Sequence, residues 1–585
     1  MKFYFSSFFF LLFSPLIVFS QSWAWGKSFK ATPPKNVNVS LACDTNGNVY
    51  LHGRIINFGP DSSHYADYTD ESVASLYIVK YNSNGKLIWK KYSELTKDVY
   101  EESANLVSDV SGNLYISGIF QDSITFDSVK LMGKKTYPFP SEKFEYLKTW
   151  NNGFVFKFNS AGKILWAKKI WGDSLDGSIL GTIDNNGNFY LAGAFSGRLV
   201  LNERDTIRSD KFVFFVAKFD QEGRFIWSEK PASLSNGCGM GCAGIISDSK
   251  GNIYLTGSFN SAISIGQFKI NAPVKDMYIV KFDPSGNVIW VRQSTSLKKI
   301  TNYHPNVFGI TKDKFDNIYI TGSCGDSVKF WENVISNKNQ HAKPFLVKYN
   351  QDGIACWAIE SGSVKDRNSW CGYSVFADDS DRVYICGGIH NWQYVSNDTT
   401  NIYIDSSNKI SSIFSNGEAF SFFEQYNAAN GKLQYANILP GGDAEITNIT
   451  GTHSAKYIYT GGILRTQLDF GNDTIEGSYV ARYKPYKNTL KSYAPLVKVN
   501  CGDITVDNVF TPPYQFIWGY CLKTFDLVIN DKWGKKLFEC DNINLYWDGK
   551  FNGMPQAAGL YSYIIKAVLE DGTIINKTGQ FELKR

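Results

Sequence analysis

Histidine is scarce in this chain of 585 residues, with six copies scattered along it. A four-ligand zinc site needs two cysteine pairs, or one pair with nearby histidines. Cys238 and Cys242 in the loop CGMGC are therefore half a site, and no metal is expected. An excess of one charge is lacking too: 60 Lys and Arg face 55 Asp and Glu, a net +5. Without a basic block, neither nucleic acid nor a membrane surface has an electrostatic footprint to hold. After residue 20 no apolar run reaches the roughly 18 residues of a spanning helix, which predicts no stable membrane insertion of that part of the chain. No catalytic triad spacing stands out, so no catalytic residue and no cofactor is assigned.

What the chain has in quantity is aromatic side chains, 16% of residues, which pack well on pleated surfaces. It also has a stretch of ten residues that recurs. This reads DTNGNVYLHG from Asp44 to Gly53, then DVSGNLYISG (109–118), DNNGNFYLAG (184–193), DSKGNIYLTG (248–257), DKFDNIYITG (313–322) and DDSDRVYICG (378–387). A worn seventh copy is THSAKYIYTG (452–461). The starts lie 65, 75, 64, 65, 65 and 74 residues apart, and such a near-constant period marks a repeat architecture. A second signature follows: YIVKYNSNGKLIW (77–89), FVFKFNSAGKILW (154–166), FVAKFDQEGRFIW (215–227), YIVKFDPSGNVIW (278–290), FLVKYNQDGIACW (345–357) and FFEQYNAANGKLQY (422–435).

Both signatures are an alternating apolar run, a short turn rich in Asn, Asp and Gly, and another alternating run: the grammar of a β-hairpin. Two hairpins per repeat give four strands. The first ends at the Asp, the second carries NxYxxG, the third VKY or VKF, and the fourth the Trp. Seven such units predict an all-β fold, a seven-bladed β-propeller. A solenoid is the competitor, and it would need polar caps. The ends of the chain favour the ring. The seventh unit has a third strand, YVARY (479–483), but no fourth with its Trp. Trp25 in SWAWGKSF stands before the first unit as Trp89, Trp166, Trp227, Trp290 and Trp357 stand before theirs. The N-terminal residues can thus lend blade 7 its outer strand and remove the exposed edges.

The repeated residues read as builders: Asp bonds its own backbone, Gly turns the corner, Tyr and Trp fill the space between blades, and the Gly after Tyr permits close strand approach. A calcium loop would need six or more oxygens, more than DxxGN offers. The repeats resemble the bacterial β-propeller repeat of large exported proteins over residues 23–490, a family tied to no single activity.

The short turns lie at one end of the blades, and the extra residues fall in the connections at the other end. Blade 2 inserts residues 121–152, with Tyr137, Phe139, Tyr146 and Trp150; blade 6 carries residues 390–418, with Trp392, Tyr394 and Tyr403. Aromatics on long loops over a rigid scaffold grip sugars or proteins, which makes these seven the candidate ligand-binding residues. The competing reading packs them over their own blades.

Residues 1–20 read as a signal peptide, with Lys2, an apolar stretch and a cut between Ser20 and Gln21. Ten cysteines in an exported protein make disulfides an expectation. The repeat ends near residue 490, residues 491–507 read as a linker, and 508–585 as a small β-sandwich of short strands. This end resembles the C-terminal sorting domain of the type IX secretion pathway of Bacteroidetes, type B, also called gliding-motility-associated. The matching residues are Phe510, Thr511, Pro512, Trp533, Gly534, Trp547, Asp548, Gly549, Asn552 and Gly553. In place of the family's acidic stretch after Phe-Thr-Pro stands PYQFIWGYC (513–521), so no metal role is carried over.

The resemblance implies delivery through the periplasm to the cell surface or medium, with the type IX translocon as partner. The function expected is binding, adhesion or scaffolding, with a glycan or protein ligand on one propeller face. The alternative is a secreted propeller enzyme, a glycosidase or lyase or a quinoprotein-like dehydrogenase. Against it, the NxxGxxxW turns lack the hydroxyl of an Asp-box and no flanking carboxylate pair can be named.

Overall fold

The computed structural model describes residues 23–29, 39–57, 73–94, 96–97, 105–120, 122–134, 152–233, 240–272, 275–297, 305–325, 327–336, 341–361, 369–390, 399–403, 409–413, 419–439, 444–454, 456–470 and 473–483. In the C-terminal segment it describes 505–506, 509–510, 517–518, 522–541, 547, 549–551, 554–569 and 574–584. All regular structure among them is β-strand.

Seven antiparallel four-stranded blades follow one another, the first six running from inner to outer strand in chain order. Blade 1 is Ser40–Cys43, Val49–Asn57, Val73–Tyr81 and Leu87–Tyr92. Blades 2 and 3 share the 20-residue strand Ile164–Ile183, outer in one and inner in the next. Blade 4 is Met240–Ser247, Ile253–Phe259, Asp276–Phe282 and Val288–Ser296; blade 5 is Asn306–Lys312, Ile318–Cys324, Lys343–Tyr349 and Ala355–Glu360. Blade 6 runs from Ser369–Ala377 to Leu433–Leu439. In blade 7, Ala444–Gly451, Ile458–Phe470 and Asp473–Tyr483 are completed by Trp23–Phe29, which pairs antiparallel with the third strand. Each inner strand touches the next, and that of blade 7 touches that of blade 1, so the ring is closed. The fold is a seven-bladed β-propeller followed by a small C-terminal β-sandwich.

The repeated turn works as its chemistry requires. In blade 1 one carboxylate oxygen of Asp44 accepts the backbone N–H of Asn46 (3.0 Å) and Asn48 (2.9 Å), and the other accepts the Asn48 amide (2.8 Å). Gly47 sits at φ 77°, where a side chain is strained. Tyr50 is fully buried, and the ammonium of Lys80 lies 3.5 Å from Asp44 and 4.7 Å from the centre of the Tyr50 ring. The same set recurs as Asp248, Asn252, Tyr254 and Lys281, and as Asp313, Asn317, Tyr319 and Lys348.

The blades are joined through one backbone carbonyl per seam. Trp89 Nε1–H and Lys80 Nζ both donate to Ser160 O, each at 3.1 Å, in the last turn of blade 2. Trp166 and Lys157 meet at Gln221 O, Trp227 and Lys218 at Pro284 O, Trp290 and Lys281 at Gln351 O, and Trp357 and Lys348 at Ala428 O. Trp25 and Arg482 do the same at Ser83 O, which ties blade 7 to blade 1. The turn glycine lies flat on each indole: a Cβ on Gly353 would fall 2.9 Å from the Trp290 ring. The seam from blade 6 to blade 7 differs. There Tyr435 and Gln425 replace Trp and Lys, and Tyr483 packs against Phe423 (4.6 Å) and Tyr435 (6.0 Å).

No disulfide joins two described cysteines; Cys43, Cys356 and Cys386 are free thiols. Cys238, Cys501 and Cys521 lie outside the described residues.

The C-terminal strands form a five-stranded sheet in which Leu522–Asn530, Lys536–Cys540, Gly559–Leu569 and Ile574–Leu583 are joined at the edge by Val509–Phe510. A thinner layer holding Trp547 and the pair Lys550–Phe551 and Met554–Pro555 backs it, and the core between includes Phe525, Ile529, Tyr561 and Phe581.

Candidate functional site

The connections between second and third strands contain more structure than their sequences announce. In blades 2, 4 and 5 each carries a short hairpin: Ser123–Phe126 with Val129–Met132, Ala262–Ile265 with Phe268–Asn271, and Val328–Phe330 with Asn333–Ile335. In blade 6, Thr399–Tyr403 pairs with Lys409–Ile413. The hairpins of blades 2, 4 and 5 reach back to the preceding blade. The blade 5 hairpin pairs with the end of the blade 4 outer strand, Ser294 with Phe330 and Ser296 with Val328, making a six-stranded sheet. The blade 2 hairpin reaches blade 1 through a bridge from Ser93 to Phe126. The extra residues thus cover outer edges that would otherwise be free to pair with other chains.

Where the blade 5 hairpin meets the blade 4 outer strand, it leaves a cavity of about 280 Å³ lined by Arg292, Gln293, Thr295, Lys329, Trp331, Glu332 and Tyr349. Trp331 opens the two-residue hairpin turn at φ 55° and is 48% exposed. Left-handed backbone costs a bulky residue about 1–2 kcal/mol, and the equivalent positions hold Asp127 (φ 51°) and Gly266 (φ 56°). The guanidinium of Arg292 lies 5.3 Å from the ring centres of both Trp290 and Trp331. Its Nε donates to Gly353 O (2.9 Å), Nη1 to Val291 O (3.0 Å) and Nη2 to Asp352 O (2.9 Å). Partial burial pulls its pKa below the usual value, yet a guanidinium stays charged at any working pH. Burial pushes the Tyr349 phenol up, with Arg292 opposing, so it remains a neutral hydroxyl. The Gln293 amide is engaged with the backbone of Asn271, and Lys329 pairs with Glu332 at 3.3 Å. The cavity therefore offers an aromatic plane, a fixed cation and hydroxyl groups.

The described residues that line this cavity are not among the seven sequence-predicted ligand residues. Tyr137, Phe139, Tyr146, Trp150, Trp392 and Tyr394 lie outside the described residues, and of Tyr403 only the backbone, in its strand, is described. Ser20 and Gln21 also lie outside them, as do Thr511, Pro512, Asp548, Asn552 and Gly553. Phe510 belongs to the strand parallel to the chain's last one. Trp547 is buried, donates to Lys550 O (2.7 Å) and packs on Tyr561 (5.2 Å), and Gly549 beside it has φ 73°. Trp533 is 80% exposed in a turn built on Asp531, with Gly534 at φ 85°.

Carboxyls held above their usual range by burial are Glu229, Asp276 and Glu360, on blades 3, 4 and 5. None lines the cavity. Among the described residues, no group of three or more His, Cys, Asp and Glu is placed to hold a metal ion. No described helix is long and apolar enough to cross a membrane.

No family model matches the chain. Among curated proteins, an uncharacterized WD repeat-containing protein of Acanthamoeba polyphaga mimivirus is 23% identical over 269 residues, 39% of this chain and 19% of that protein. The chain thus spans about a fifth of the relative's length. Among solved structures, a subtype N11 neuraminidase-like protein of A/flat-faced bat/Peru aligns at 12% identity and TM-score 0.29, covering 66% of this chain and 86% of its own. The extracellular domain of a putative one component system of B. thetaiotaomicron aligns at 10% identity and TM-score 0.15, covering 95% and 87%. A tandem repeat from the extending region of a large adhesion protein gives 9% identity and TM-score 0.10, covering 94% and 100%. TM-scores of this size carry no argument about function.

Proposed function

We propose that the chain is an exported binding, adhesion or scaffold protein that recognises a glycan or protein partner through its propeller. It is delivered to the cell surface or medium by the type IX pathway. The observation that carries the binding reading is the cavity between blades 4 and 5. There an exposed tryptophan stands in strained backbone beside an arginine, on a ring whose other repeated residues serve its own construction. Strain of this kind collects at binding sites. Delivery is supported by the apolar N-terminus and by the order of sorting-motif residues in the C-terminal segment, where Trp547 and Gly549 hold the fold together and Trp533 stays exposed.

A glycan array and a pull-down from intact cell surfaces, both with the full chain, test the binding reading. A reproducible ligand is the expected result, and a blank on both removes that reading. Export is tested separately, by replacing residues 508–585 with a neutral domain in a type IX-competent host. Retention in the periplasm is expected, and unchanged appearance outside the cell would remove the sorting assignment.

A further inference from the structure

Resting on the reading of this chain as a binding protein, we infer that the cavity between blades 4 and 5 takes a carboxylated sugar, its ring on Trp331 and its carboxylate on Arg292. The repeat supplies its own control. At the seam of blades 1 and 2, Lys91 stands two residues after Trp89 and pairs at 2.6 Å with Asp127, the first residue of the hairpin turn. At the seam of blades 4 and 5, Arg292 stands two residues after Trp290, and the same turn position is Trp331. The acid that neutralises the cation at one seam has become an aromatic plane at the other.

Among the described residues no carboxylate takes the place of Asp127, although the charge of Asp352 acts on Arg292 from a distance. Glu332 pairs with Lys329, and no carboxylate among the described residues lies within ion-pair distance of Arg292. Of the five guanidinium N–H donors, three are used on backbone carbonyls, so two remain. Those carbonyls hold the group in place, which suits it to a carboxylate arriving from outside. Tyr349 also lines the cavity. The volume, about 280 Å³, is near the ~300 Å³ at which ligand pockets begin, room for a single sugar ring. A pyranose offers its apolar C–H face to an indole, and an acid at its edge reaches the cation. A neutral sugar would fill the space and leave the charge unpaired.

Titration calorimetry of the full chain with methyl glucuronide, methyl N-acetylneuraminide and methyl glucoside tests this. At least one acidic sugar should bind, with methyl glucoside weaker by roughly tenfold or more. Arg292→Gln should remove that preference and Trp331→Gly should remove binding. Trp331→Gly relieves strained backbone, so its melting temperature should be no lower than the parent's, which separates lost binding from lost fold. Lys91→Gln should leave binding unchanged. Equal binding of methyl glucoside, a preference that survives Arg292→Gln, or no binding of either acidic sugar overturns the inference. A carboxylate-terminated peptide that outcompetes both sugars at Arg292 overturns it too. If the array or the pull-down gives a ligand while these sugars fail, only the ligand class falls. If both are blank, the binding reading falls with it.

Discussion

The indole N–H of Trp25 donates to the carbonyl of Ser83 at 3.1 Å, across 58 residues of chain and one seam of the ring. Trp25 is buried, the Gly85 backbone lies against its ring, and its strand is the outer strand of blade 7. One residue near the N-terminus therefore completes the last blade and fastens it to the first.

Trp25→Ala should destabilise the propeller by about 3 kcal/mol, the size of a buried aromatic truncation. Hydrogen exchange should rise first in Asp473–Tyr483 and in the turn holding Ser83. Urea unfolding with exchange mass spectrometry checks both. Protection lost evenly from all seven blades would contradict the closure role.

Gly353 combines φ 75° with an indole where its side chain would be. Gly353→Ala should cost about 1–3 kcal/mol, visible as a lower melting temperature. Gly241→Ala, where a new Cβ meets nothing within 4 Å, should cost less.

Glu360 gives a pH dependence whose sign follows from its site. Burial pushes its carboxyl up to about 7 from 4.5, with Lys343 pulling the other way. The folded state then keeps a proton that the unfolded state has released. Its contribution is full below pH 4.5, falls as pH rises towards 7, and stays flat above. Glu360→Gln should remove that fall and make the protein more stable at pH 8, by on the order of 2 kcal/mol. Melting curves from pH 4.5 to 8 decide it.

His52 acts in the opposite direction. Burial pulls its imidazole down to about 3 from 6.5, so the unfolded chain takes up a proton that the folded chain refuses. Stability present above pH 6.5 is lost as pH falls towards 3, about 2 kcal/mol of it by pH 5. Blades 4 and 5 carry Thr256 and Thr321 at this position, each donating to a carbonyl at 2.7 Å. His52→Thr should flatten the acid side of the stability curve, as denaturant midpoints at pH 5 and 7.5 would show.

The ring was legible because its determinants are local: the Asp turn and the alternating strands recur in sequence, and Trp25 stood out by its place relative to Trp89 and the rest. The seams were not, since Trp89 and Lys80 meet their carbonyl at Ser160, beyond the unit that carries them. Lysine in VKY reads as the polar half of an alternation, and only the fold shows Lys80 buried over Tyr50. The hairpins at Asp127, Gly266 and Trp331 share a two-residue turn but differ at its first residue. A tryptophan there gives no turn signal, and the cavity beside it stayed hidden with it. A comparison of SITFDSVKL, AISIGQFKI and SVKFWENVI would have exposed both.

Five of the described seams repeat one fastening, Trp and Lys on a single carbonyl, and blade 7 meets blade 1 with Trp and Arg in the same roles. Blade 6 meets blade 7 through Tyr435, Phe423 and Tyr483 instead. A hoop with one dissimilar joint has a parting line. Under tension or heat the circle should give way between Leu433–Leu439 and Asp473–Tyr483, and open into an arc of seven blades that begins with blade 7, still clasped to blade 1 through Trp25.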